Sequence, residues 1–549
     1  MPLWYNKPIE LKGHMVFLKQ LDMISPLEQK LAEKDKVIAA KDVFIKCLQE
    51  EISLLRLQKF GCSADQYVDA NQVALFDEKE LDELNELNPV DEASTESIEV
   101  PAHTRKTNRG KRKPLPNCLE RVRIEHKLDD SELIGPDGEQ YVKIDESISE
   151  QLDIIPQEIK VLQHVRFKYA VKGQEELGVK TAPIKNQAFP KSVASSGLLA
   201  HIAQAKYCYH LPLYRQEAIW KELDVHIPRN SMCRWMMEVG ERCQPIVEEI
   251  LEQIKSQNHL HVDETTVTVL DEDNKRVKSD SKSHKGYMWV YTNSDGVVYD
   301  YQSTRAGQHA SEKLEDFNGY VQTDAYAGYN QLFVAKLNDD QIEQPRKSVG
   351  CWAHARRKFT DILKISSKKK NTNAEKIVKL IAKLYQVEKH CFKNDYIHDD
   401  RKRYRLEKSK PILDKIKEAL DDLVQKTPPQ SLLGKAIAYS LNNWSQLIMY
   451  LEDGGIPIDN NPAERAIRPF TIGRKNWVFC GNTKGAQTSA NLFSLIESAK
   501  LYNLKIFDYL KHIFEQLPEA KTAKDIEQLT PKYAHHKLPK LKAKETLKK

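Results

Sequence analysis

Residues 286–301 read GYMWVYTNSDGVVYDY, and the fold follows from this stretch. Two β-rich apolar runs, 286–291 and 297–301, flank Ser294-Asp295-Gly296, a turn of the kind that joins hairpin strands. Upstream, Leu260-His261-Val262-Asp263 opens another strand, and 265–270 continue its β-rich character. Downstream, 319–324 form a short strand that ends in a turn over 325–330. A further strand, 348–353, leads into a helix that starts near His354. Three strands in a meander followed by strand–helix alternation predict a mixed sheet covered by helices.

The expected class is therefore multidomain α/β with a ribonuclease-H-like core over 258–482, interrupted by a lysine-rich helical insertion at about 360–450. An N-terminal helix (1–65) precedes it. Ile24, Leu31, Ile38, Ile45 and Ile52 hold one seam position of a heptad, and Leu27, Lys34, Lys41, Leu48 and Leu55 hold the other. Such a stripe needs a partner: a coiled coil with other copies, or a docking face on its own protein. Phe60-Gly61 ends the helix. Residues 66–117 read as a charged linker. Within it, 77–99 carry ten acidic residues and one lysine, followed by the basic cluster Arg105, Lys106, Arg109, Lys111, Arg112 and Lys113. Short strands such as 159–167 are expected in 118–173. The region 174–257 reads as helical and helix-turn-helix-like: two helices flank a break at 224–228, the second capped by Asn230 or Ser231. Residues 483–549 read as a C-terminal helical segment with a basic tail.

With 84 basic and 79 acidic side chains in 549 residues, the net charge of +5 is too close to balance to argue for nucleic acid by itself. No uncharged apolar run approaches membrane-spanning length, and the N-terminus lacks a secretory pattern, so a cytoplasmic protein with no membrane partner is expected. Nine cysteines occur without a C-x-x-C pair, which argues for reduced thiols and against a local zinc clip.

Two carboxylates end strands of this sheet in matching places. Asp263 and Glu264 lie on opposite faces by period-two alternation, so only one can serve an inward site. Asp324 ends the strand at 319–324, where it is either a turn cap or a partner of Asp263. The third acid is in DNNPAERAIRP (459–469). There Asn461 is a good N-cap, Pro462 suits the first helical position and Glu464 the third, where it either reaches back to the cap or faces the sheet acids. Neighbouring acids need cations, and an oxygen-only set suits Mg²⁺ or Mn²⁺. Two such ions about 4 Å apart serve phosphodiester chemistry. Cations lie around these acids in sequence. Arg356, Arg357 and Lys358 follow one strand, and Arg465, Arg468, Arg474, Lys475 and the aromatic Trp477 follow the glutamate. Cations interleaved with aromatics fit a phosphate backbone and unstacked bases, or form a solvated helix face.

The segments LHVDETT (260–266), GYVQTDAYAGYN (319–330), GCWAHARRKF (350–359), DNNPAERAIRP (459–469) and GRKNWVFCG (473–481) resemble, in order and wording, the motif set of the insertion sequence 66 family of bacterial DDE transposases. The likeness extends over nearly the whole chain. It implies that Asp263, Asp324 and Glu464 are the catalytic, metal-holding triad of a nucleoid-associated enzyme that cuts and joins DNA at the ends of an insertion sequence. Water would be the cleavage nucleophile and a freed 3′ hydroxyl the joining one. Implied partners are the terminal inverted repeats, target DNA, further copies of the chain and accessory proteins of the same element. The rival readings are a catalytically inactive DNA-binding protein with a retained nuclease fold, or a plain metal-dependent nuclease. One departure stands out. The family has a cysteine-paired zinc module where this chain, over 117–173, has only Cys118, so no zinc ligand set is expected.

Overall fold

A computed structural model describes residues 11–60, 159–169, 180–181, 192–270, 283–324, 326–334, 337–338, 341–342, 346–365 and 372–541. The chain divides into two units, one of residues 1–88 with 185–549 and one of residues 89–184. In the second unit, Lys168–Tyr169 pair antiparallel with Lys180–Thr181. Residues 159–167, expected as a strand, form no ladder; their apolar side chains stay exposed, with no partner strand among the described residues. The linker at 66–117 and most of the module at 118–173 lie outside the described residues.

The first unit is built on a five-stranded mixed sheet. Its strands are β1 (His259–Leu270), β2 (Ser283–Thr292), β3 (Val297–Gln302), β4 (Tyr320–Gln322) and β5 (Lys347–Val349), in spatial order β3-β2-β1-β4-β5. The meander β1–β2–β3 is antiparallel, while β4 runs parallel to β1 and β5 parallel to β4. At the hairpin, Thr292 pairs with Val297 across the expected turn, and its hydroxyl donates to the Gly296 carbonyl at 2.9 Å.

Thirteen of the helices among the described residues frame this sheet. They are α1 (Leu11–Phe60), α2 (Ser196–Tyr207), α3 (Leu213–Glu222), α4 (Arg229–Arg242), α5 (Gln244–Lys255), α6 (Gly307–Lys313), α7 (Trp352–Ile365), α8 (Asn373–Lys393), α9 (His398–Lys426), α10 (Leu432–Asn442), α11 (Trp444–Ile448), α12 (Asn461–Trp477) and α13 (Thr483–Leu501). The edge of β3 is covered by α13. Ser498 and Ser494, one helical turn apart, accept the Val297 and Tyr299 N–H groups at 2.9 and 2.8 Å, and so satisfy ladder groups that would otherwise invite another strand.

Two hydrophobic cores result among the described residues. One runs from Ala194 to Ala534 and joins the helices before the sheet, β1–β3 and the C-terminal helices; the other lies in the insertion helices and reaches Tyr320 and Val349. The first core crosses the boundaries expected at 257 and 482. The pair α3–α4 turns Trp220, Met232, Trp235 and Met236 into it. The cap of helix α4 falls two residues before Asn230 and three before Ser231, the expected caps. Pro228, already fixed in extended backbone, is the cap residue, and Glu217 Oε1 accepts the Arg229 N–H at 2.9 Å. Part of the C-terminal basic stretch is folded. Through Leu541 the chain is packed on the body, with Lys532 Nζ 2.8 Å from Asp295 and the Leu541 N–H donating to Asn503 at 2.7 Å. Helix α1 touches α7 and α10 through the face bearing Cys47, Glu50 and Leu54, leaving Ile38, Ile45 and Ile52 exposed.

Candidate active site

Strand register brings the first two acids together. His259, Leu260 and His261 lie opposite Tyr320, Val321 and Gln322, a constant offset of 61 positions. Asp263 and Asp324 are separated by that same offset, so both carboxylates stand just beyond the end of the β1–β4 ladder. The Thr323 N–H still donates to Val349 on β5, at 3.2 Å, which keeps the chain extended up to Asp324. Asp324 also caps its turn: Oδ1 accepts the Tyr326 N–H at 3.0 Å. The Tyr439 hydroxyl holds its carbonyl from α10 at 3.2 Å.

The third acid arrives by a polar latch. Asn460, buried, accepts from His261 Nδ1 at 2.9 Å and donates to the Val262 carbonyl at 3.0 Å. Burial drives the His261 pKa down to about 3, so the ring is neutral and Nδ1 carries the proton that Asn460 accepts. The helix cap is therefore Asn460 and not Asn461. Asn460 spends its side chain on the sheet, and Asp459 Oδ1 accepts the Asn461 N–H at 3.1 Å instead. Glu464 does not reach back to the cap. It faces α7, where Oε2 is 3.4 Å from Arg357 and Oε1 is 3.7 Å from His354 Nε2.

The three acids sense one another. Burial pushes the Asp263 carboxyl up to about 7, and the charges of Glu264, Asp324 and Glu464 add to the effect. As they stand they do not close into a binding cage: among the described residues, no three His, Cys, Asp or Glu side chains form a group that could hold a metal ion. The donors nevertheless suit a hard cation, being carboxylate oxygens. Glu464 Oε1 is moreover shielded from water and accepts no hydrogen bond.

The neighbouring acid Glu264 has a separate task on the opposite face. Its nearly buried carboxylate pairs with Arg305 and accepts the Tyr329 hydroxyl, while the Arg305 guanidinium lies 3.6 Å over the Tyr326 ring. This ties the turn that follows Asp324 to β1. Sequence reading missed Glu264, Asn460, His261 and His354 as site residues, although all four lie inside motifs it singled out. For Glu264, the signal was its forced burial beside Asp263, which demands a cation.

The expected DNA-contacting residues divide into two groups. Arg357, Lys358, Arg465, Arg468 and Lys475 are exposed, and Arg356 is half-buried. Arg474 is committed to β1: it donates to Thr265 Oγ1 and Thr266 Oγ1 at 3.2 and 3.0 Å, and to the Thr266 carbonyl. Trp477 is packed edge-on against Phe470 and Tyr207 and tilted against Phe493.

The family model described as Transposase IS66 family matches residues 191–488, more than half of the chain. The chain belongs to the IS66 transposase family. Its C-terminal element matches over 494–531, the region described as Transposase C of IS166 homeodomain over 47–124, and the zinc-finger binding domain of transposase IS66 over 136–170. Residues 136–170 of this IS66-family chain contain no cysteine and a single histidine, His164. Two proteins of Sinorhizobium fredii (strain NBRC 101917 / NGR234), both named uncharacterized, are similar. The protein y4jD is 33% identical over 393 residues, 71% of this chain and 75% of its own. The protein y4qI is 32% identical over 403 residues, 72% of each. Family membership marks the chain as a transposase, a DNA-processing enzyme. No helix among the described residues is long and apolar enough to cross a membrane.

Proposed function

We propose that this transposase cleaves DNA at the ends of an insertion sequence and joins them to target DNA. Asp263, Asp324 and Glu464 act as its DDE triad on a ribonuclease-H-like core. The carrying observation is the shared offset of 61 that sets Asp324 beside Asp263, with Asn460 drawing the first turn of α12 onto the same strand. The three carboxylates would hold Mg²⁺ or Mn²⁺, two ions in the working complex. When bound, such ions supply Lewis acidity to the phosphodiester and a strong oxygen nucleophile.

The protein's own groups set the conditions. Burial disfavours a charged Asp263 without a cation, so the site gains most from one. Arg357 holds Glu464 meanwhile. Once Glu464 turns to the sheet acids, Arg357 is released toward a phosphate oxygen. The exposed cations of α7 and α12 follow the DNA backbone, and the free seam of α1 joins copies of the chain into an oligomer.

Strand transfer with DNA carrying the element ends tests the reading. Asp263→Asn, Asp324→Asn and Glu464→Gln should each abolish joining in Mg²⁺ while DNA binding persists; retained joining in any of them rejects that residue's role. The pairing of Glu464 with Arg357 favours one alternative, a DNA-binding protein with an inactive nuclease fold. That alternative gains if calorimetry in the presence of DNA detects no Mg²⁺ or Mn²⁺ binding.

A further inference from the structure

Helix α12 ends in a turn that L-residues seldom make. Val478 has φ 66° and ψ −47°, and the Phe479 N–H donates to the Trp477 carbonyl at 2.7 Å. That combination is the positive-φ γ-turn, the rare and strained form. A β-branched residue there is a steric outlier, and such strain persists only where the surroundings over-determine it. Here they do. Before the turn, Arg474 is fastened to Thr265 and Thr266. After it, the Cys480 N–H donates to Thr268 at 2.9 Å and the Leu270 N–H to Cys480 at 3.0 Å.

The rigid turn lifts two apolar side chains into solvent, Val478 at 63% and Phe479 at 47% exposure. The tip lies at one end of a basic line. Arg465, Arg468, Ile472 and Lys475 follow at intervals of three, four and three, so they share one exposed face that starts beside Glu464. At 1.5 Å per residue, the tip lies about 21 Å from Glu464 along the helix. That is about six base pairs of duplex.

We propose that Val478 and Phe479 form an apolar wedge that stacks into DNA bases about six base pairs from the cleaved phosphate, while the α12 cations hold the backbone. This rests on the DNA-processing reading above. Charge complementarity along the stripe selects nucleic acid as the occupant. A fixed aromatic beside cations is the means by which proteins hold unstacked bases, and insertion between steps kinks a duplex.

The test uses the full chain and a labelled mixed-sequence duplex, intact or with one internal abasic position. A wedge spends energy on unstacking, so the abasic duplex should bind more tightly to the wild type, on the order of tenfold. Phe479→Ala should erase that preference. Val478→Gly, which tolerates the positive φ, should weaken the preference while raising the melting temperature. Lys475→Ala should weaken both duplexes alike, with the preference kept and the salt slope shallower by about one. A wild type that does not discriminate, or a Phe479→Ala variant that still does, overturns the wedge and leaves the DNA reading standing. Loss of self-association in Phe479→Ala with an unchanged preference assigns the tip to protein contact and also overturns it. Absence of any DNA binding by the wild type overturns both.

Discussion

Asp263 is where the local physics of the site is most exposed to measurement. A carboxyl titrates near 4 in the unfolded chain, whereas burial lifts this one to about 7. Between those values the folded state binds the extra proton, so the native protein loses stability as pH rises from about 4 to about 7. In chelator, the melting temperature of the wild type should fall across that window more steeply than that of Asp263→Asn. The buried carboxyls Glu497 and Asp459, also shifted upward, contribute a slope common to both proteins. Adding Mg²⁺ at pH 7.5 should recover the difference in the wild type alone. Parallel slopes in the two proteins would remove Asp263 as the titrating group. A second expectation concerns Glu464. Replacing Arg357 by alanine takes away the cation that holds it off the sheet acids. Apparent Mg²⁺ affinity should then rise severalfold, read by calorimetry, while DNA affinity falls. An unchanged Mg²⁺ affinity would show that the ion pair does not restrain the carboxylate.

At the scale of elements, α12 is an adapter between strand and site. Asn460 fixes its start on β1, and Arg474 and Cys480 fix its end. Asn460→Ala leaves the His261 Nδ1 proton and the Val262 carbonyl buried without a partner. Each orphan costs about 1–3 kcal/mol, so denaturant unfolding should show a loss of about 2–6 kcal/mol. Strand transfer should fall further than stability explains, because Glu464 loses its anchor; a variant with full activity and native stability would refute the latch. These features also mark what sequence could convey. The meander was legible because period-two alternation and Ser294-Asp295-Gly296 are local signals. The pairing of Asp263 with Asp324 was legible as chemistry, two acids at strand ends, but the register that aligns them required the fold. Asn460 drew no assignment beside the N-cap candidate Asn461, because its partner lies 199 positions away and leaves no mark nearby. Arg474 and Trp477 share the cation-and-aromatic pattern of their neighbours. Only three-dimensional packing separates them, one stapled to Thr265 and Thr266, the other set among Phe470, Phe493 and Tyr207.

For the whole molecule, the decisive quantity is the apolar surface that a single copy leaves uncovered. Helix α1 spends one face, around Cys47, Glu50 and Leu54, on α7 and α10, with Lys435 Nζ 3.4 Å from Glu51. The opposite seam keeps Ile38 55% exposed, and Ile45 and Ile52 about as much. Exposed isoleucines at heptad spacing gain most by meeting the same stripe on another copy, because each buried side chain contributes on the order of 1.5–3 kcal/mol. Lys34 and Lys41 interrupt the seam and favour registers that let their ammonium groups reach water. Sedimentation of the wild type should therefore give a mass that is a multiple of the 63.3 kDa chain. The full-length variant Ile38→Asp, Ile45→Asp, Ile52→Asp should sediment as a monomer. Its far-UV spectrum and the unfolding of the main body should stay close to wild type, since these side chains touch neither core. A monomeric wild type, or a triple variant with unchanged mass, would mean that α1 uses only its docked face and that assembly, where it occurs, is built elsewhere.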